Sequence, residues 1–154
     1  MKQTGLLFEF RETDYRLGAS PIVAAEIMPD GDWRKFLPKE ERQSTFNFDT
    51  MSCVPFSATS IIETQIRYFL YKGLLSDGQL QKLVSWSYLK DGEINFSDRF
   101  TAIMSGTTKN GNTFQKVWDS IRKDGLLPET NFPMQGNNWE EYHDKTKITQ
   151  EMKD

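Results

Sequence analysis

The chain has 154 residues, of which 13% are aromatic and 27% charged, with a net charge of −3 and a pI of about 5.3. That is enough for one domain with a core, and the absence of any basic stripe removes electrostatic support for binding nucleic acid or an anionic membrane. One cysteine excludes a disulfide framework within the chain and a multi-cysteine zinc site, and one histidine leaves few soft ligands for a transition metal, so no metal and no cofactor is expected.

Residues 1–30 carry two short apolar runs, Leu6-Leu7-Phe8-Glu9-Phe10 and Ile22-Val23-Ala24-Ala25-Glu26-Ile27, separated by Gly18 and Pro21. They read as an N-terminal extended segment. The first run falls far short of a signal h-region, and nothing later approaches a membrane span, so a reducing cytoplasm is the expected location. Asp30-Gly31-Asp32-Trp33-Arg34 is a turn signal that enters Lys35-Phe36-Leu37-Pro38, where the proline favours extended backbone before it.

The stretch from Phe48 to Glu63 holds the only cysteine at the mouth of a long apolar helix. Pro55 suits a first helical turn, because its missing N–H has no partner there and its φ is already helical. Phe56, Ser57, Ala58, Ile61, Ile62, Ile66, Phe69 and Leu70 then recur mostly at spacings of three and four until Gly73 supplies a left-handed stop. A helix is therefore expected from Cys53 to about Tyr71, with the later helices packed across it. A thiol at a helix N-terminus faces unpaired N–H groups and the positive end of the macrodipole, which favour thiolate and predict a pKa below the free value of about 8.5. Taken alone, a free cysteine is more often a small apolar core residue.

Leu74 to Leu89 reads as a second helix, with Ser76 as N-cap, Gln79 at the capping-box position and a stop at Asp91-Gly92. A short helix capped by Ser97 or Asp98 runs to Met104, and residues 105–112 form a loop. Thr113 to Asp124 is a further helix ended by Gly125. Residues 136–154 are polar; 139–153 read as a terminal helix capped by Asn138, or as a linker.

Several of these stretches resemble, in order, the papain-like cysteine peptidases. Cys53-Val54-Pro55-Phe56-Ser57-Ala58, with Ile62-Glu63, is similar to the Cys-Trp-Ala-Phe-Ser-Ala and Ile-Glu run that opens the family's central helix. Asp32-Trp33-Arg34 followed by Gln43 resembles the Asp-Trp-Arg to Gln run whose glutamine amide helps form the oxyanion hole. Gln43 lies ten residues before Cys53, whereas the family's glutamine lies six before, where this chain has Asn47. Both side chains offer an amide N–H, and the upstream spacing favours Gln43. Asn110-Gly111, a helix, Gly125-Leu126 and Phe132-Pro133 resemble the family run in which an Asn-Gly-Gly loop precedes a helix, a Gly-Leu turn and a Tyr-Pro-Tyr. In the family that loop lines the substrate cleft and pairs with an extended peptide, so Asn110 and Gly111 are the implied cleft residues.

The resemblance covers about residues 30 to 133. It implies an α+β family of which this chain is the mainly α part: an N-terminal extended segment at 1–30, a papain-like left-hand helical half-domain at 31–135, and a polar C-terminal helix or linker at 136–154. Cys53 is then the nucleophile, and peptide or protein is the substrate. The family's catalytic His and Asn lie on its β-rich half, and His143 stands in a polar segment unlike theirs, so a complementary β-rich domain or other protein is the expected partner. The wider phrase also looks like divergent papain-like domains of bacteriophages and prophages, placing the chain in a bacterial host cytoplasm or a virion. Two other readings stand beside this one: a non-catalytic papain-like structural or interaction module, and an unrelated helical binding domain with Cys53 in its core.

Overall fold

The computed structural model describes residues 6–7, 31–39, 43 and 46–152. Apart from Leu6 and Leu7, the extended segment read at 1–30 lies outside the described residues. The chain is mainly helical, with α1 at Cys53–Lys72, α2 at Asp77–Ser85, α3 at Asp98–Met104, α4 at Phe114–Asp124 and α5 at Trp139–Tyr142. Among the described residues a two-stranded antiparallel sheet, β1 at Leu89–Lys90 and β2 at Glu93–Ile94, lies between α2 and α3.

The helix boundaries follow local chemistry. Ser76, Ser97, Thr113 and Asn138 each accept a backbone N–H of the following helix, and Ser76 with Gln79 forms the reciprocal capping box. Gly73 closes α1 in the left-handed conformation. The second helix is shorter than its periodicity predicts. It ends at Ser85, and Asp91-Gly92 is the turn of the β1–β2 hairpin instead of a helix stop, with φ of 53° and 80°. Positive φ at both central residues matches the twist of the flanking strands, which a helical continuation could not.

Helices α3 and α4 pack across α1, whereas α2 buries no residue and touches the hairpin. The buried face of α1 differs from the apolar stripe read in the sequence: Val54, Pro55, Ala58, Thr59, Glu63 and Tyr68 face inward, while Ile61 is 53% exposed. Two polar residues set that face. Thr59 donates its hydroxyl to the Asp98 carboxylate, and Glu63 accepts the Phe96 backbone N–H at 2.6 Å. Both bonds join α1 to the entry of α3, in a dry environment where an unmade bond costs about 1–3 kcal/mol.

Among the described residues, buried apolar side chains cluster in three places. Val54 and Ala58 meet Val117 of α4; Phe36 meets Tyr68 beside Trp33 and Phe69; Phe100, Ile103, Leu127, Phe132 and Ile148 form the third. That last group brings the polar C-terminal stretch into the fold. The expected helix over 139–153 is only the single turn of α5, followed by a 3-10 turn at Lys145–Lys147, and Tyr142 is fully buried. Gly136 makes the docking possible, because a Cβ there would stand 3.0 Å from the Tyr142 backbone nitrogen. Arg99, itself 0% exposed, donates to the carbonyls of Tyr142 at 2.8 Å, Glu141 at 2.9 Å and Pro133 at 3.4 Å.

Replacing Arg99 by Met should lower the unfolding free energy by about 3 kcal/mol or more, since it leaves buried carbonyls without a donor. Ile61→Ala, on the open side of α1, should cost under about 1 kcal/mol. Urea unfolding of the two variants checks both; equal losses would mean the buried face has been misassigned.

Candidate functional site at the head of the central helix

Cys53 is the first residue of α1, and a tight turn built from Asp49, Thr50, Met51 and Ser52 delivers it there. Asp49 Oδ1 accepts the Met51 N–H at 2.8 Å, and Met51 takes a φ of 53°, an uncommon conformation for a residue with a side chain. Ser52 and Thr50 are fully buried, and Ser52 Oγ donates to the Thr50 carbonyl at 3.0 Å. The backbone is thus fixed before the helix begins.

Thr50 is the meeting point of two residues singled out in the sequence. Gln43 donates an amide hydrogen to Thr50 Oγ1 at 2.9 Å, which brings it to the approach of α1, ten residues from Cys53 in sequence. Asn47, the alternative amide, is exposed. His143 reaches the same residue from the far end of the chain, its Nε2 lying 2.9 Å from the Thr50 carbonyl oxygen. A carbonyl only accepts, so Nε2 carries the proton and the neutral ring's basic nitrogen is Nδ1. That atom is buried, with no hydrogen-bond partner among the described residues, and the ring stacks on Trp139 at a centroid distance of 4.3 Å. Burial pulls the His143 pKa down, against the bond to Thr50, which favours the charged form. The ring is a neutral strut, and a buried Nδ1 cannot collect a proton from a thiol.

The Cys53 thiol is half-buried against Val54, Ala58 and Val117. Burial pushes its pKa up, and Asp49 adds to this, while the backbone N–H groups of Val54 and of Cys53 itself pull it down. The expected depression below the free value is therefore reversed: the helix N-terminus acts in the anticipated direction, and desolvation outweighs it.

Asn110 and Gly111 lie in the turn that precedes α4. Asn110 is exposed, and its N–H bonds Thr108 Oγ1. The N–H of Gly111 donates to the Thr108 carbonyl at 2.9 Å, and its carbonyl accepts from Thr108 N–H at 3.1 Å. Both backbone groups of Gly111 thus close their own turn. Pairing with an extended segment occurs one residue later, where the Asn112 carbonyl accepts the Leu7 N–H at 2.8 Å. Neither Asn112 nor Thr50 stood out in the sequence. Their signal was faint: an asparagine just before the Thr113 cap, and a threonine in a polar run leading to the helix.

Among the described residues no group of three or more His, Cys, Asp or Glu comes together as metal ligands would, and no helix is long and apolar enough to cross a membrane. What the arrangement does is start α1 with a half-buried thiol and tie the Gln43 amide to Thr50, three residues before it.

His143 is the only histidine in the chain, so its titration can be isolated. Its folded pKa lies below the unfolded value of about 6.5, so the folded state binds fewer protons and stability falls over the window that opens as pH drops through about 6.5. The urea midpoint of the wild-type chain should decline over that window, and that of His143→Gln should not; parallel declines would show the ring is not held neutral. Alkylation of Cys53 followed against pH should give an apparent pKa above about 8.5, and a value below it would mean that the helix N-terminus outweighs desolvation.

No model of a known protein family, no curated protein and no solved structure matches this chain.

Proposed function

We propose that the chain is the helical half of a papain-like cysteine peptidase, acting on peptide bonds through Cys53, with the Gln43 amide and the Cys53 backbone N–H as oxyanion donors. The observation that carries this reading is Cys53 at the first position of the 20-residue α1, with Gln43 anchored on Thr50 three residues upstream. In this reading the thiolate attacks the scissile carbonyl and the amide donors hold the resulting oxyanion. The tetrahedral intermediate then collapses with departure of the amine, which must gain a proton. Water afterwards hydrolyses the thioester. This chain's own residues provide the nucleophile and the oxyanion donors. The proton donor comes from elsewhere, because the one histidine is committed to Thr50 through Nε2 and buried at Nδ1.

The raised thiol pKa is consistent with such a division. An imidazolium placed beside Cys53 by a β-rich partner would offset the desolvation that now favours the thiol. A host cytoplasm or a virion are the settings that go with this reading. The alternative, a non-catalytic module within a larger assembly, draws on a different observation: α2 buries no residue, and Val84 within it and Trp86 at its C-terminal end are 55% and 59% exposed. Such a face suits cover by another protein.

The 154-residue chain alone should not turn over a peptide library, since general acid–base assistance supplies about 10² to 10⁴ in rate and its one histidine is engaged on Thr50. Adding a β-rich segment from the same genome that carries a His and an Asn should produce cleavage, and Cys53→Ala should abolish it. Cleavage by the chain alone that is lost in both Cys53→Ala and His143→Gln would refute the role given to His143. Tight association with the segment and no cleavage would favour the assembly module.

A further inference from the structure

We propose that a pocket beside the C-terminal half of α1 binds a small monoanion, a carboxylate carried on a short, flat apolar body. The pocket is separate from the helix mouth: Arg67 stands fourteen residues along α1 from Cys53, about 20 Å at a rise of about 1.5 Å per residue.

Three elements wall it. The 3-10 turn at Arg34–Phe36 contributes Lys35 and Phe36, α1 contributes Arg67, Leu70 and Tyr71, and the hairpin turn contributes Gly92, around a cavity of about 250 Å³. Phe36 is buried, and Tyr71 stands edge to face with it at a centroid distance of 5.4 Å while remaining 66% exposed. The Lys35 Nζ lies 4.9 Å from the centre of the Phe36 ring and 4.5 Å from that of Tyr71, so a flexible ammonium is held in place by two ring faces. Arg67, partly buried, donates through Nη1 to the Glu93 carboxylate. Its Nε and Nη2 hydrogens have no hydrogen bond among the described residues, and the Lys35 ammonium meets no carboxylate there. At Gly92 a Cβ would meet no atom within 4 Å, so the rim is open at the hairpin turn.

Charge and shape together select the ligand. Lys35 and Arg67 bring two positive charges and Glu93 returns one negative, which leaves a surplus of a single positive charge. A carboxylate matches that surplus, whereas a phosphate monoester carries about −1.5 to −2 at pH 7 and would also be repelled by Glu93. The Nε and Nη2 edge of Arg67 is a planar fork that takes a carboxylate through two parallel bonds. The rings of Phe36 and Tyr71 and the methyl groups of Leu70 call for an apolar body beside that carboxylate. A cavity of about 150 Å³ admits benzene, so about 250 Å³ has room for a ring and a carboxyl on a two-carbon stem. A free aryl acid and the aromatic last residue of a peptide share this chemistry.

Hydrocinnamate is the probe, titrated into the full chain at about pH 7.5 by calorimetry and by backbone amide NMR shifts, with circular dichroism reporting the fold. A Kd of about 1 mM or tighter is expected, with phenylpropanol, which lacks the charge, and acetate, which lacks the ring, each at least about tenfold weaker. Lys35→Gln and Arg67→Gln should each weaken the acid about tenfold. Glu93→Gln, which releases the Arg67 fork from its partner, should tighten it about threefold, a gain that loss of a purely structural tie would not give. A folded Lys35→Gln chain that binds the acid as wild type does overturns the proposal, as does equal affinity for acid and alcohol, or no binding at about 10 mM. Should Arg67→Gln lose its helical signal, Lys35→Gln, at an exposed side chain, decides alone. Acetylglycylphenylalanine separates the two sources of ligand. Binding tighter than that of hydrocinnamate and lost in the C-terminal amide supports a peptide end as the ligand, and weaker binding supports a free acid.

Discussion

The buried guanidinium of Arg99 ties the C-terminal stretch to the helical core, and the shape of the helix mouth is set through it. Its N–H groups go to three backbone carbonyls, those of residues 133, 141 and 142, and its plane lies over the Phe132 ring at 4.5 Å. Burial pulls its pKa down, and the nearby Tyr142, Glu141, Asp144 and Glu129 oppose that. A planar, permanently charged fork can satisfy several carbonyls at once, which a lysine ammonium at the same site could not match in geometry. Through it, a polar stretch with few apolar residues of its own becomes part of the domain.

That anchoring reaches the helix mouth. Tyr142 is held by Arg99 through its carbonyl, and the next residue, His143, lands on the Thr50 carbonyl, which also receives the Ser52 hydroxyl. Gln43 meets the side chain of the same threonine. Residues separated by up to 93 positions in sequence therefore converge on one turn, and that turn sets where Cys53 begins α1. The histidine is used in this network as a neutral donor. Its place in the structure accounts for why the only imidazole in the chain stands close to the helix mouth and yet lacks the free, accessible nitrogen of a base.

Two opposing effects meet at the thiol. The first-turn N–H groups of α1 favour the thiolate, and the apolar patch of Val54, Ala58 and Val117 disfavours it by removing water. The patch wins. The same patch receives Leu6, so Cys53 and Leu6 both rest on one small apolar surface at the junction of α1 and α4.

Elements with local signals were legible in the residues themselves. The start of α1 at Cys53 followed from Pro55 and its end from Gly73; the caps Ser76 and Asn138 could be read, and that of α3 narrowed to Ser97 or Asp98, because a cap bonds an N–H two or three residues away. Which way α1 faces was not legible. The apolar stripe pointed to Ile61, yet Glu63 and Thr59 turn inward because Phe96 N–H and Asp98, more than 30 residues distant, need them. Asp91-Gly92 could stop a helix or turn a hairpin, and pairing of Leu89 with Ile94 decided between them. The convergence of Gln43 and His143 on Thr50, the closure of Gly111 on Thr108 and the packing of Leu6 on Val54, Ala58 and Val117 left no periodicity to read. Hydrogen bonds and desolvation act on distance in space, and for these groups that distance is fixed by the packing of the folded chain, not by their spacing along it.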